Sequence, residues 1–448
     1  MTAACSNPRW FGAKQRSFTP DRLGACLSRV CFLVAVRTMT RKILLTLPRP
    51  LFPPDTGGKI RSLNILARLA RRAEVHAVSF ADPILDAVAI AKMRSTFESY
   101  TPVFWREAKK RSLRFYREVL TNQCSALPYF LAKCHRPRFR STVEELAARK
   151  HFDLMFCDFL HTAAPLLEST FRPRIVFEHN VEFLLRKRKW EVEKHPLRKL
   201  VLGAEWKKTR TIEAKVCRSF DHIITVSGQD QQILGHEFGI KNVSTIPTGV
   251  DTDFFRPLDD RPQPGRLVFV GSMDWDPNED GIVWLLREVY PRIRQAVPDV
   301  SLSVVGRNPS LHLRAVAASE SGVEITGWVP DVRPHLSQAE VVVVPLRVGG
   351  GTRIKIPEAM AMGKAVVSTP VGAEGLPFCD GREIRIAEQP EEFAQAVVEL
   401  LRNASRRNSI GTLALKEVAS QYSWDVVVDR LEEILEQVTR PRTLAVVA

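Results

Sequence analysis

The residues best suited to chemistry concentrate between positions 341 and 375. Four valines run into Pro345. Arg347, three glycines at 349–351, Thr352, Arg353, Ile354, Lys355, Ile356, Pro357 and Glu358 come next, and Ala365, Val366 and Val367 close the segment. The pattern reads as a buried strand, a glycine loop, a helix and a second buried strand. Consecutive glycines let a backbone approach a ligand closely and turn several N–H groups toward it. A helix start beside them adds partial positive charge for a phosphate or a developing oxyanion. Arg353 and Lys355 bring permanent cations to the same point. Glu358, one helical turn on, offers a carboxylate able to accept from both hydroxyls of a ribose. A plain turn would account for the glycines but not for the cations and acid that follow. The spacing is not that of a Walker loop.

Three other places carry candidate groups. His179 ends an apolar run at 174–177, within Glu178-His179-Asn180, and a polar cluster at a strand's carboxyl end faces the ligand side of a parallel sheet. Gly57 and Gly58 follow a strand-like run and open a helical pattern, which taken alone is a weak signal. Two D-x-D strings, at 251–253 and 274–276, invite a metal reading, since paired carboxylates can hold a divalent cation under a diphosphate. The first sits in a proline-rich linker and the second in a loop after a strand. The expectation is no metal, with the cationic loop neutralising a leaving group instead.

Short continuous apolar runs alternate with longer helical patterns throughout. In the first half the strand candidates are 42–47, 75–80, 154–157, 174–177, 222–226 and 243–246, with helices such as 59–72 and 199–218. The second half repeats the pattern with strands at 266–270, 301–305, 323–326, 341–344, 365–368 and 383–386, and helices at 279–295 and 357–362. Unbroken apolar strands separated by helices imply parallel sheets covered on both faces. The fold class expected is therefore α/β, with two Rossmann-like doubly wound domains facing each other across a cleft. The boundaries expected are an extension or misassigned start at 1–38, a first domain at 39–246, a hinge at 247–265, a second domain at 266–420, and a final helix and tail at 421–448.

The 448 residues are 45% hydrophobic and carry a net charge of +15. That excess favours anionic partners. Six cations fall within 106–117, and ten cations against three acids within 186–210. Such runs are either solvated helix faces or a patch for an anionic membrane surface. No nucleic-acid-binding signature is present. The eight cysteines form no C-x-x-C pair, which suits a reducing, cytoplasmic setting, peripheral at the inner face of the plasma membrane. No apolar run reaches the length of a membrane-spanning helix.

The 341–375 segment resembles the donor-binding core of retaining glycosyltransferase family four, which has the two-domain glycosyltransferase B fold. Its members typically show E-G-F-G-x-x-x-x-E-A-M-A and then a G-x-P-V-V-like strand, and here Glu358-Ala359-Met360-Ala361 and Gly363-Lys364-Ala365-Val366-Val367 match. Pro247-Thr248-Gly249-Val250-Asp251 resembles the family's P-N-G-V-D hinge. Thr326-Gly327-Trp328-Val329 resembles its nucleobase-framing loop, and Tyr422-Ser423-Trp424 its closing helix, which crosses back to the first domain. The resemblance implies a transferase that takes a nucleoside diphosphate sugar as donor substrate, with no cofactor, and passes the sugar to a glycan or lipid-linked acceptor in envelope or exopolysaccharide synthesis. It implies substrate contacts at Gly57, Gly58, Asn180, Gly271, Ser272, Gly350, Gly351, Thr352 and Glu358, and catalytic roles for His179, Arg353 and Lys355. Two departures stand out. Gly350 replaces the first glutamate of the family pair. Asp274-Trp275-Asp276-Pro277-Asn278 stands where the family has the Arg and Lys that clamp the diphosphate, so Arg353 and Lys355 are expected to compensate. A nucleotide-sugar 2-epimerase and a non-catalytic sugar-nucleotide binding protein share this architecture and stay open as alternatives.

Overall fold

The computed structural model describes residues 41–440 apart from 109–111 and 349–353. The expectations for 1–38 and for Gly350, Gly351, Thr352 and Arg353 lie outside the described residues.

The first sheet contains β1 (Lys42–Leu47), β2 (Glu74–Ala81), β3 (Ser99–Phe104), β4 (Leu154–Asp158), β5 (Arg174–Phe177), β6 (His222–Thr225) and β7 (Val243–Thr245). All its pairings are parallel, in the order β3-β2-β1-β4-β5-β6-β7. The second contains β8 (Arg266–Val270), β9 (Ser301–Val305), β10 (Val323–Gly327), β11 (Val341–Val344), β12 (Ala365–Ser368) and β13 (Arg385–Ile386), again parallel, in the order β10-β9-β8-β11-β12-β13. Both sheets are doubly wound and reverse direction beside their first strand, where such sheets bind ligands.

Strand burial explains the apolar runs. Along β1, Ile43, Leu45 and Leu47 join the core on one face and Leu44 the core on the other, as a period of two requires. The second sheet is likewise covered twice. The final helix, Trp424–Thr439, inserts Trp424, Val427, Val428, Leu431 and Leu435 into the core of the first sheet. The chain therefore crosses between the lobes twice. The crossings lie side by side: Val250 N donates to Tyr422 O at 2.7 Å, and Val250 pairs with Ser423 in a parallel bridge.

Two elements differ from the sequence expectation. Strand β3 has no counterpart there, because Ser, Tyr, Thr and Pro do not read as a buried run. It is an edge strand pairing with β2, where the missing N–H of Pro102 costs no ladder bond. The helix expected at 279–295 is interrupted. Helix Asp276–Trp284 leads into a wide π turn at Leu285–Val289, and helix Tyr290–Ala296 resumes with Pro291 near its start. Proline has no amide to bond back to the previous turn, so the ladder loosens there.

Candidate functional site

The first half of the site forms where β1, β4 and β5 end. Helix Gly57–Leu69 begins with the two glycines, and Thr56 caps it by accepting from the Lys59 amide. A β-carbon on Gly58 would lie 2.9 Å from the Phe159 ring, so glycine is what permits this approach. Phe159 follows β4 with φ of 70°, a conformation costly for a bulky side chain. The strain sets its ring flat against His179, with centroids 3.7 Å apart and planes 9° apart.

His179 is buried, and its Nε2 lies 2.7 Å from Asp158 Oδ1. The other Asp158 oxygen accepts from Ser62 Oγ at 2.7 Å. Burial lowers the His179 pKa, and the neighbouring Asp158 opposes that shift. The ring is therefore neutral near pH 7, donating from Nε2 and leaving Nδ1 as an acceptor. His179, Asn180, Gly57 and Gly58 border a common recess with Arg49, Lys59 and Arg61.

Beneath this loop lies a set of buried acids. Glu213 accepts from the amides of Glu182 and Phe183 at 2.8 Å each and so anchors the start of helix Glu182–Val192. Glu182 pairs with Arg186 at 3.1 Å. Burial and the neighbouring carboxylates Glu213 and Glu182 push the Glu178 pKa well up. These groups fix the loop that presents His179 and Asn180.

The second half forms where β8 and β11 end. Lys355 opens helix Lys355–Ala361. Its ammonium donates to Asn278 Oδ1 at 2.7 Å and sits 4.1 Å from the Phe269 ring centroid. Asn278 in turn donates to Ser272 O at 2.7 Å. A β-carbon on Gly271 would meet Lys355 Nζ at 2.7 Å, so glycine is required at that point too. The lysine thus stands at the carboxyl end of β8. Asn278 passed unnoticed in the sequence because its role depends on a side chain 77 positions away. Ser272 Oγ is engaged by Asp274 and by Arg307 at 2.9 Å. Asp274 also accepts from Asn308, so it belongs to a polar network of the loop. Among the described residues no cluster of His, Cys, Asp and Glu is arranged to hold a metal ion.

Glu358, in the first turn of the same helix, is half-buried, and no described residue donates a hydrogen bond to it. Enclosure pushes its carboxyl up to about 7, with Lys355 opposing the shift. A poorly solvated acid without a protein donor is suited to a ligand that brings donors of its own.

The two halves meet across a cavity. Asn180, Ser227 and Asp230 of the first lobe line it together with Ile354, Pro357 and Gly375 of the second. Arg188 reaches Glu374 across it at 3.5 Å. Of the residues singled out in the sequence, Asn180 lines this cavity; His179, Gly57 and Gly58 border the first-lobe recess with it, Gly271, Ser272 and Lys355 gather at the end of β8, and Glu358 lies on the Lys355 helix.

Comparison with known proteins bears on the family and the fold. Residues 56–254 match the family model described as glycosyltransferase family 4, and residues 264–403 the one described as glycosyl transferases group 1. An uncharacterized 44.6 kDa protein in the cps region of Klebsiella pneumoniae is 24% identical over 292 residues, covering 63% of this chain and 74% of that protein. A phosphatidyl-myo-inositol mannosyltransferase of Mycolicibacterium smegmatis is 30% identical over 203 residues, covering 43% of this chain and 52% of that one, so the match spans about half the relative's length. Among solved structures, sucrose-phosphate synthase from Thermosynechococcus elongatus superposes with a TM-score of 0.61 at 16% identity, over 89% of this chain and 98% of that one. The Anabaena protein HepE, solved with UDP and glucose, gives 0.61 at 12% identity, over 89% and 100%. At these identities the structures share the fold.

Proposed function

The chain belongs to the glycosyltransferases of family 4 and group 1, matched over both lobes, and from that premise we propose that it moves a sugar, with retention of configuration, from a nucleoside diphosphate sugar to a glycan or lipid-linked acceptor. One observation carries the reading: the carboxyl ends of two doubly wound sheets border one cavity, with Glu358 and Lys355 on the helix that faces it.

In this reading the ionised Glu358 accepts from the ribose hydroxyls. Lys355, with Arg353, neutralises the diphosphate as the bond from the anomeric carbon to the phosphate oxygen breaks. The acceptor oxygen bonds to that carbon on the same face, and its proton passes to the departing phosphate. Neutral His179 offers Nδ1 to a hydroxyl of the sugar or acceptor, and closure of the lobes limits hydrolysis of the donor. The phosphatidyl-myo-inositol mannosyltransferases among the relatives support a lipid-linked acceptor, and the relative from a cps region supports a place in exopolysaccharide or envelope-glycan assembly.

A peripheral membrane position has its own support. No helix among the described residues is long and apolar enough to cross a membrane. Helix Leu113–Thr121 buries none of its residues and exposes Leu113, Tyr116 and Leu120 beside Arg114 and Arg117. Val192, Leu197 and Leu200 are also exposed, next to Lys194 and Arg198. Apolar residues interleaved with cations suit the surface of an anionic bilayer.

The test is a screen of nucleoside diphosphate sugars for release of the diphosphate, with and without lipid-linked and glycan acceptors and with chelator present. Acceptor-dependent release that persists in chelator supports the reading. Appearance of an epimer without acceptor would point to the epimerase instead. Nucleotide binding without turnover of any acceptor would point to a binding protein.

A further inference from the structure

Resting on the transferase reading, we propose that Asp158 is a positioning residue for His179: it keeps the ring protonated at Nε2, so that Nδ1 only accepts, and the site thereby selects a transferred sugar that presents a hydroxyl donor at that point. Asp158 ends β4, and His179 stands two residues beyond β5. Both side chains are buried, Asp158 completely. A carboxylate has acceptors only, so the 2.7 Å contact from its Oδ1 to Nε2 requires the proton on Nε2. The Ser62 hydroxyl fills the second oxygen at 2.7 Å and holds the carboxylate in that orientation. Arg61 supplies a counter-charge. Its Nη2 donates to the Ile246 carbonyl, its guanidinium sits 4.2 Å from the Phe177 ring centroid, and Nε and Nη1 have no hydrogen-bond partner. Burial brings the Arg61 pKa down to about 9, opposed by Asp158 and Asp230, so the group is a cation at neutral pH.

Packing orients the ring as well. Phe159 lies flat against it, and the Phe177 ring packs 4.6 Å away at 39°. Backbone strain such as that at Phe159 persists where its surroundings over-determine it, and here it serves the orientation of one imidazole. Turning the ring over would exchange its nitrogens and take Nε2 away from Asp158. Nδ1 is bonded by no described residue, and it is not among the enclosed polar atoms that lack a partner, so it opens on the recess that His179 borders. The next residue, Asn180, borders both that recess and the cavity between the lobes. The ring therefore stands beside the junction of the two spaces, where a sugar leaving a second-lobe nucleotide has to lie. A nitrogen that only accepts takes a hydrogen bond from a hydroxyl and none from a group unable to donate. Asp158 would thus act on the substrate through the ring, without touching it.

The experiment records nitrogen-15 NMR of the full-length protein at neutral pH, with the His179 signals assigned by their loss in His179→Gln. The wild-type ring is expected as the neutral Nε2–H tautomer, and an Nδ1–H tautomer or an imidazolium overturns the proposal. UDP-glucose or GDP-mannose should move the Nδ1 resonance, whereas UDP or GDP alone should not. An equal response to sugar nucleotide and nucleotide, or none to a sugar nucleotide that binds, overturns it as well. Calorimetry then compares each sugar nucleotide with its monodeoxyfluoro analogues, because fluorine cannot donate. The wild-type protein should lose about tenfold in affinity at one position of the sugar. In Asp158→Asn the amide can donate to Nε2 and leave the proton on Nδ1, so that loss should shrink to about twofold while affinity for the nucleoside diphosphate is retained. A wild-type tautomer together with wild-type discrimination in Asp158→Asn marks the contact as merely structural and overturns the proposal. If that variant does not fold, the wild-type tautomer and its response to sugar nucleotide decide by themselves. Failure to bind any nucleoside diphosphate, by contrast, sinks the transferase reading and leaves the tautomer to judge Asp158 alone.

Discussion

At the scale of single residues, Glu358 and the Lys355–Asn278 pair make the sharpest claims. The folded protein holds a proton on Glu358 up to about 7, whereas the unfolded chain releases it near 4.5. Stability contributed by this group therefore falls as pH rises from about 4.5 through about 7 and levels off above that. Nucleotide binding should run the opposite way, because ribose hydroxyls donate best to the ionised carboxylate. Calorimetry between pH 6 and 8 should show affinity rising with pH in the wild-type protein. Glu358→Gln should bind more weakly, by about tenfold, with that rise abolished. Asn278 acts through Lys355 and is a positioning residue. Asn278→Asp would tie the ammonium into an ion pair but lose the bond donated to Ser272 O, so donor KM should rise by about tenfold alongside a modest fall in melting temperature. A merely structural role would shift the melting temperature and leave donor KM alone.

Among elements, the paired crossings between the lobes make the clearest prediction. Gly249 faces Trp424 so closely that a β-carbon there would lie 2.4 Å from the indole ring. Trp424 is buried in the core of the first sheet at the start of the final helix, which Ser423 caps by accepting from Val426 N at 3.3 Å. Gly249→Ala forces either the ring or the crossing strand to move, at a cost of about 1–3 kcal/mol typical of overpacking. Trp424→Ala removes the ring and is expected to cost more, about 3–5 kcal/mol. Thermal denaturation of the two variants tests the order. Equal melting temperatures for Gly249→Ala and wild type would mean that the crossing adapts freely.

For the molecule as a whole, the distribution of charge and exposed apolar groups predicts where it works. Sedimentation with vesicles should show binding to bilayers containing phosphatidylglycerol and little to neutral phosphatidylcholine, weakening as salt rises. Leu113→Ser with Leu120→Ser should reduce binding by about tenfold, since two exposed aliphatic side chains lose their insertion. Binding equal for both lipids, or unaffected by the paired substitution, would remove the membrane face from the account. Across the cleft, Arg188–Glu374 and the packing of Gly375 against Ser227 hold the lobes in contact.

The amino-acid sequence by itself determined the two doubly wound sheets, because strands buried on both faces must be unbroken apolar runs and their helices carry a different period. It also singled out Glu178-His179-Asn180, Lys355 and Glu358, since polar groups at the ends of buried strands are conspicuous. Strand β3 was not legible, as an edge strand tolerates proline and polar residues. Nor were Asp158, Ser62, Arg61 and Asn278, whose side chains do their work through partners from 21 to 185 positions away. Which nitrogen of His179 is free, why Gly58 must lack a side chain, and that Arg61 is a buried cation with unpaired donors were decided by tertiary structure alone. Each depends on how closely distant segments pack, and a linear pattern records which residues are present without recording those distances.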